Sequence, residues 1–112
     1  LDTNYSKLDY CVFNFGSASG KSCSSLLENA LEKIDYAPYS KVVNGRFKGG
    51  FITRNFGKPE SNIHAIQLEL SQRTYMNEST QEYNWRLAAQ VQPKLHRIVE
   101  CLIDFARSGH EE

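Results

Sequence analysis

Glu69 is the first residue whose type and position point to chemistry. It sits near the end of an alternating run, Ile63-His-Ala-Ile-Gln-Leu-Glu-Leu70, in which Ile66, Leu68 and Leu70 face one way and Ala65, Gln67 and Glu69 the other. In open α/β sheets ligands gather beyond the carboxyl ends of strands. A carboxylate there is placed to act as a general base that takes a proton from water. An edge strand with one solvated face gives the same pattern. Arg54 and Arg73 are candidates for holding a carboxylate, because the guanidinium fork matches that group with two parallel hydrogen bonds. Arg46 and Lys48 add positive field to the same stretch, although basic residues of an ordinary surface fit equally. Gly49-Gly50 allows either close backbone approach to a ligand or a plain turn.

Other chemistries find less support. His64, His96 and His110 have no metal-ligand spacing, and neither HExxH nor CxxC occurs. His64, at the start of the alternating run, suits a structural hydrogen bond as well as a site. The serines of Gly16-Ser-Ala-Ser-Gly-Lys-Ser-Cys-Ser-Ser25 lack a nucleophile elbow, and the stretch does not fit the phosphate-loop frame. Cys11, Cys23 and Cys101 are odd in number and widely spaced, which predicts reduced thiols in a cytosolic protein.

The elements that must carry these residues alternate. Residues 10–15 predict a strand ending at Gly16. Ser25 to Asp35 predict a helix, with Ser25 and Glu28 as a capping box. Ser40 to Val43 predict a short strand. Residues 44–57 hold four glycines and three basic residues, a poor core segment and a good functional loop. Within it Phe51 to Phe56 suit a short helix or strand. Lys58 to Asn62 predict a turn, and 63–70 the clearest strand. Gln81 to Arg107 predict an amphipathic helix, with Pro93 either kinking it or opening a second helix. His96 falls on its solvent side. The β-α-β-loop-β-α order favours an α/β sheet with flanking helices.

Composition narrows the partners. The chain has 112 residues, 40% hydrophobic and 23% charged, with zero formal net charge. That fits one globular domain with a modest core. Without a basic run, nucleic acid and anionic membranes are poor partners. No apolar stretch reaches the ~20 residues a membrane helix needs, and the first residues show no signal pattern. The start at Leu1 predicts part of a longer protein.

Two motifs are specific. Val42-Val-Asn-Gly-Arg-Phe-Lys-Gly-Gly-Phe-Ile-Thr-Arg54 and His64-Ala-Ile-Gln-Leu-Glu-Leu-Ser-Gln-Arg-Thr-Tyr-Met76, with Gly16-Ser-Ala-Ser-Gly-Lys-Ser-Cys23, resemble the C-terminal portion of N-formylglutamate amidohydrolases (deformylases). The resemblance spans roughly residues 8–106. It implies a zinc-peptidase-like α/β fold, the class also described as phosphorylase/hydrolase-like, present in residues 1–112 as a partial domain. It also implies hydrolysis of N-formyl-L-glutamate to formate and L-glutamate in histidine degradation. By the same resemblance Glu69 is the catalytic base, and Arg54 with Thr53 belongs to the loop that holds substrate carboxylates, with Arg73 a weaker candidate. Zn2+ is the implied cofactor, with its ligands upstream of this chain, so that residues 1–112 alone are expected to be inactive. Family members often have His-Tyr where this chain has Asn55-Phe56, a difference that bears on substrate contacts. A bound zinc lowers the pKa of water to about 7, and a carboxylate base contributes about 10²–10⁴-fold. The alternatives are a related zinc amidase or carboxypeptidase with another substrate, and a non-catalytic interaction domain.

Overall fold

All four residues of strand β1 (Phe13–Gly16) are buried, so both of its faces are covered. A computed structural model describes residues 12–108. Tyr10, Cys11 and His110 lie outside the described residues. Strand β1 is central in a three-stranded sheet ordered β2-β1-β3. Strand β2 (Lys41–Val43) runs parallel to it, with Phe15 opposite Val43. Strand β3 (Gln67–Leu70) runs antiparallel, pairing Phe13 with Leu70, Asn14 with Glu69, Phe15 with Leu68 and Gly16 with Gln67.

This register sorts the side chains by chemistry. Residues directly opposite each other share a face, so Phe13, Phe15, Leu68 and Leu70 form an apolar face. Asn14, Gly16, Gln67 and Glu69 form a polar one. Helices α1 (Ser25–Glu32) and α3 (Trp85–Arg107) cover the apolar face. Leu27, Leu31, Val91 and Ile98 join Phe13, Phe15 and Tyr36 in one core. Each such side chain gains about 1.5–3 kcal/mol on leaving water. The Phe13 ring packs on Tyr36 at 5.1 Å between centroids.

The boundaries differ from the sequence expectation for identifiable reasons. The N-cap of α1 is Ser24, not Ser25: its Oγ accepts from Leu26 N at 3.1 Å, while its own N–H donates to His64 Nδ1 at 3.0 Å. Glu28 is thereby moved one position too far along the helix to close a capping box. The helix stops at Glu32 rather than Asp35, and the buried Tyr36 returns its hydroxyl to Leu31 O at 2.7 Å.

Phe51 to Phe56 form a helix, α2. The strand expected over 63–70 is regular only from Gln67. Before it, Ile63 bridges to Lys58, and Ala65 N donates to Ser22 O. Glu82–Tyr83 is a strand, β5, paired with Met76–Asn77, β4, which delays α3 to Trp85. Asn84 caps α3 by accepting from Arg86 N and Leu87 N. Pro93 neither ends α3 nor opens a second helix. The carbonyl it leaves without a donor belongs to Ala89, which is exposed, so water can take that place. Among the described residues no helix is long and apolar enough to cross a membrane.

Candidate functional site

On the polar face of the sheet lies the glycine-rich basic segment. Asn14 ties down its middle: its Nδ2 donates to Phe47 O at 2.6 Å, and its Oδ1 accepts from Phe47 N at 3.3 Å. Gly16 lets the segment approach, because a Cβ there would stand 2.6 Å from Gly49 N and 2.7 Å from the Lys48 carbonyl carbon. Gly49 has φ +111°, a conformation that other residues rarely adopt. Gly50, the N-cap of α2, donates its N–H to Gln67 Oε1 at 2.8 Å.

Glu69 is joined to this arrangement. It is half-buried, and its Oε1 accepts from Gln67 Nε2 at 2.5 Å. One amide side chain thus spans the carboxylate and the start of α2. Strand β3 borders the sheet on one side only, as in the edge-strand alternative, yet Glu69 is hydrogen-bonded on the face that the basic segment covers.

Beyond the C-terminal end of β1, α2 meets the small-residue loop 17–22. The two enclose a pocket of about 420 Å³ whose lining includes Lys21, Lys48, Arg54, Ser19, Ser22 and Thr53. That size suits a small organic ligand. Three of its lining side chains are cationic and none is acidic. Arg54 Nη1 donates to Gly49 O at 3.2 Å, which holds the guanidinium at the pocket wall, and among the described residues its other donors have no partner. Thr53 is 1% exposed, and its hydroxyl donates to Gly50 O at 2.8 Å. Its single proton is therefore committed to the first turn of α2, and its contribution is to position Gly49 and Arg54. Arg46 and Arg73 do not line this pocket. The Arg46 guanidinium lies 5.7 Å from the Phe47 ring centre, and Arg73 sits in the short 3-10 turn after β3.

The loop 17–22 is set by a buried knot around Ser17, which has no exposed surface. Asn44, at φ +54°, accepts from Ser17 N at 2.9 Å and donates to Ser17 Oγ at 2.7 Å. Glu28 enters the same knot. Burial pushes its carboxyl up, a hydrogen bond from Ser17 pulls it down, and the charge of Glu32 pushes it up.

His64 is structural in this arrangement. Its Nδ1 accepts from Ser24 N, which leaves the proton on Nε2, 3.0 Å from Asn62 Oδ1. Its ring stands edge-on to Phe105. Cys23 and Cys101 are unbridged, and burial is the main cause of the upward shift of both thiols, that of Cys23 to about 11. Neither is an activated nucleophile. Among the described residues no three His, Cys, Asp or Glu side chains are grouped to hold a metal ion. The described residues do not by themselves make up a zinc site.

Three participants escaped the sequence reading. Lys21 lies in a small-residue loop that does not fit the phosphate-loop frame, and Asn44 only opens the glycine-rich segment. Gln67 carried a usable signal, since it shares the polar face with Glu69.

A small mixed α/β sheet with a tethered carboxylate on one face and a three-cation pocket beside it defines an α/β protein with a small cationic pocket. Comparison with known proteins narrows the α/β class to a family. The profile of the N-formylglutamate amidohydrolase family matches residues 3–76. N-formylglutamate deformylase of Pseudomonas aeruginosa is 44% identical over 101 residues, covering 88% of this chain and 38% of the relative. That of Pseudomonas putida is 44% identical over 103 residues, with the same two coverages of 88% and 38%. The crystal structure of N-formylglutamate amidohydrolase from Ralstonia eutropha JMP134 superposes with a TM-score of 0.81 at 24% identity, over 95% of this chain and 38% of that one. The chain belongs to the N-formylglutamate amidohydrolase family. It spans 38% of the length of the curated relatives it matches.

Proposed function

We propose that this chain carries the base and the substrate-carboxylate anchors of an enzyme that hydrolyses N-formyl-L-glutamate to formate and L-glutamate, in cytoplasmic histidine degradation. The observation that carries the reading is the Glu69–Gln67–Gly50 linkage. It connects a half-buried carboxylate to the helix whose Arg54 lines the cationic pocket. The names of the relatives supply the substrate.

In this proposal Glu69 takes a proton from the attacking water. The hydroxide adds to the formyl carbon, the C–N bond breaks, and Glu69 returns the proton to the departing amine. Arg54 and Lys48 hold substrate carboxylate, and Thr53 positions them. Arg46 and Arg73 contribute field from outside the pocket. A zinc-peptidase-like fold and a zinc ion belong to the same reading, with the ligands supplied from outside the described residues. When bound, zinc would acidify the water and polarise the carbonyl.

The test is Glu69→Gln in the intact protein. Turnover is expected to drop at least ~100-fold, the scale of general-base catalysis, with zinc content nearly unchanged. Unaltered turnover removes Glu69 from the mechanism. Arg54→Ala is expected to raise KM for N-formylglutamate more than for an uncharged formamide, and equal effects would rule out carboxylate recognition. Comparing acetylated amino acids and short peptides as substrates separates a deformylase from a related amidase.

A further inference from the structure

We infer that the pocket between loop 17–22 and α2 is a dicarboxylate subsite, and that Lys21 is the residue that makes it select two negative charges over one. The inference rests on the substrate class proposed above and adds a residue to it. Lys21, Lys48 and Arg54 come from three separate stretches of chain and line one pocket of about 420 Å³. Among the described residues neither Lys21 nor Lys48 has an ion-pair partner, and the Arg54 guanidinium bonds only the Gly49 carbonyl. No acidic side chain lines the pocket.

Convergent cations repel one another, and a bound anion relieves that repulsion. A monocarboxylate would leave two of the three charges unbalanced, whereas a dicarboxylate leaves one. Loop 17–22 is built to keep Lys21 in place. Asn44 clamps Ser17, Ala18 N donates to Lys48 O at 2.7 Å, and Gly20 N donates to Ser17 Oγ at 3.0 Å. The Ala18–Lys48 bond also joins the backbones that carry two of the cations. Ser19 and Ser22 supply neutral polar groups on the same wall, although Ser22 Oγ already donates to Ala65 O.

The experiment titrates the full ¹⁵N-labelled chain with N-formyl-L-glutamate, N-formyl-L-glutamine and inorganic phosphate, and follows the backbone amides. N-formyl-L-glutamate is expected to move the amides of 18–22 and 48–54 and to bind at least ~10-fold more tightly than the glutamine analogue, the scale of one charge-assisted hydrogen bond. Lys21→Met is expected to erase most of that preference, and Lys21→Arg to keep it. Lys21 is exposed, so neither change threatens the fold. A preference that survives Lys21→Met overturns the inference, as does the absence of amide shifts. Phosphate binding as tight as the dicarboxylate, weakened equally by Lys21→Met, would reduce the pocket to a general anion site and also overturn it. Formate release, measured separately on the intact protein, reports on the deformylase reading alone. A chain that binds the dicarboxylate through Lys21 without forming formate would refute that reading and leave the subsite standing.

Discussion

Gln67 holds Glu69 with one end of its amide and Gly50 with the other, at 2.5 and 2.8 Å. The carboxylate and the start of α2 therefore cannot move independently while that side chain stays in place. Gln67→Leu keeps the approximate volume and removes both bonds. A half-buried Gly50 N–H would lose its acceptor, at a cost of about 1–3 kcal/mol. Turnover of the intact protein is expected to fall about 10-fold, and the urea midpoint to drop with it. Because Gln67 acts through Glu69, Gln67→Leu in a Glu69→Gln background should have little further effect on rate. Additive losses in that double mutant would show that Gln67 acts elsewhere.

Asn44 has two separable duties. Its side chain clamps Ser17, and its backbone adopts φ +54°. Asn44→Ala loses both, leaving the buried Ser17 N–H without its acceptor and putting an alanine in the left-handed region. The expected loss is about 2–4 kcal/mol. Asn44→Gly removes the conformational penalty and should recover about 1 kcal/mol of it. Urea unfolding of both variants measures the difference. Equal losses would mean that the positive φ costs nothing here.

How much of this was legible depends on the range of the interaction. The two faces of β3 could be read because a strand's side chains alternate and Ile66, Leu68 and Leu70 are apolar. The same alternation placed Gln67 beside Glu69. Phe51 to Phe56 stayed ambiguous because six residues carry too few periods to separate helix from strand. The choice is made by Thr53, whose hydroxyl closes on Gly50 O, and by the packing around Gly49. The misplaced cap of α1 has a more distant cause. Ser24 is fixed as N-cap by His64, 40 residues away, and no local pattern contains that contact. Lys21 meets Arg54 only through the fold, so its place in the pocket could not be read from spacing. Resemblance compensated for part of this, marking Arg54 and Glu69 within two specific motifs.

Cys23 makes stability fall in alkali. The thiol is 1% exposed, and burial, with a smaller push from the charge of Glu28, raises it from 9.0 to about 11. Between those values the unfolded chain loses the thiol proton and the folded chain retains it. The folded state then binds more protons, so stability decreases as pH rises from about 9 and stops decreasing above about 11. The loss over that window is on the order of 3 kcal/mol. Tyr36, also raised by burial, acts in the same direction. Cys23→Ala should therefore flatten the decline without abolishing it. Urea midpoints of the two proteins at pH 8 and pH 10.5 give the comparison, and parallel declines would assign the alkaline instability to Tyr36 or other groups.

Gly16 couples the sheet to the pocket by having no side chain. A methyl group there would press on the backbone of Lys48 and Gly49, which cannot rotate out of the way as a side-chain end would. Gly16→Ala must therefore lift the basic segment from the polar face and strain the Asn14–Phe47 and Gly50–Gln67 hydrogen bonds. Overpacking of this kind costs about 1–3 kcal/mol. The amides of 47–50 should shift, and dicarboxylate binding should weaken although no pocket side chain has changed. Gly20→Ala is the control. Gly20 has φ +86°, but a Cβ there finds its nearest neighbour, a Glu28 carboxylate oxygen, at 3.8 Å. It should lose about 1 kcal/mol to backbone strain and leave the amides of 47–50 in place. If Gly16→Ala also leaves those amides unmoved, β1 does not set the height of the segment that carries Lys48, and the pocket's geometry must be fixed by Asn44 and α2 alone.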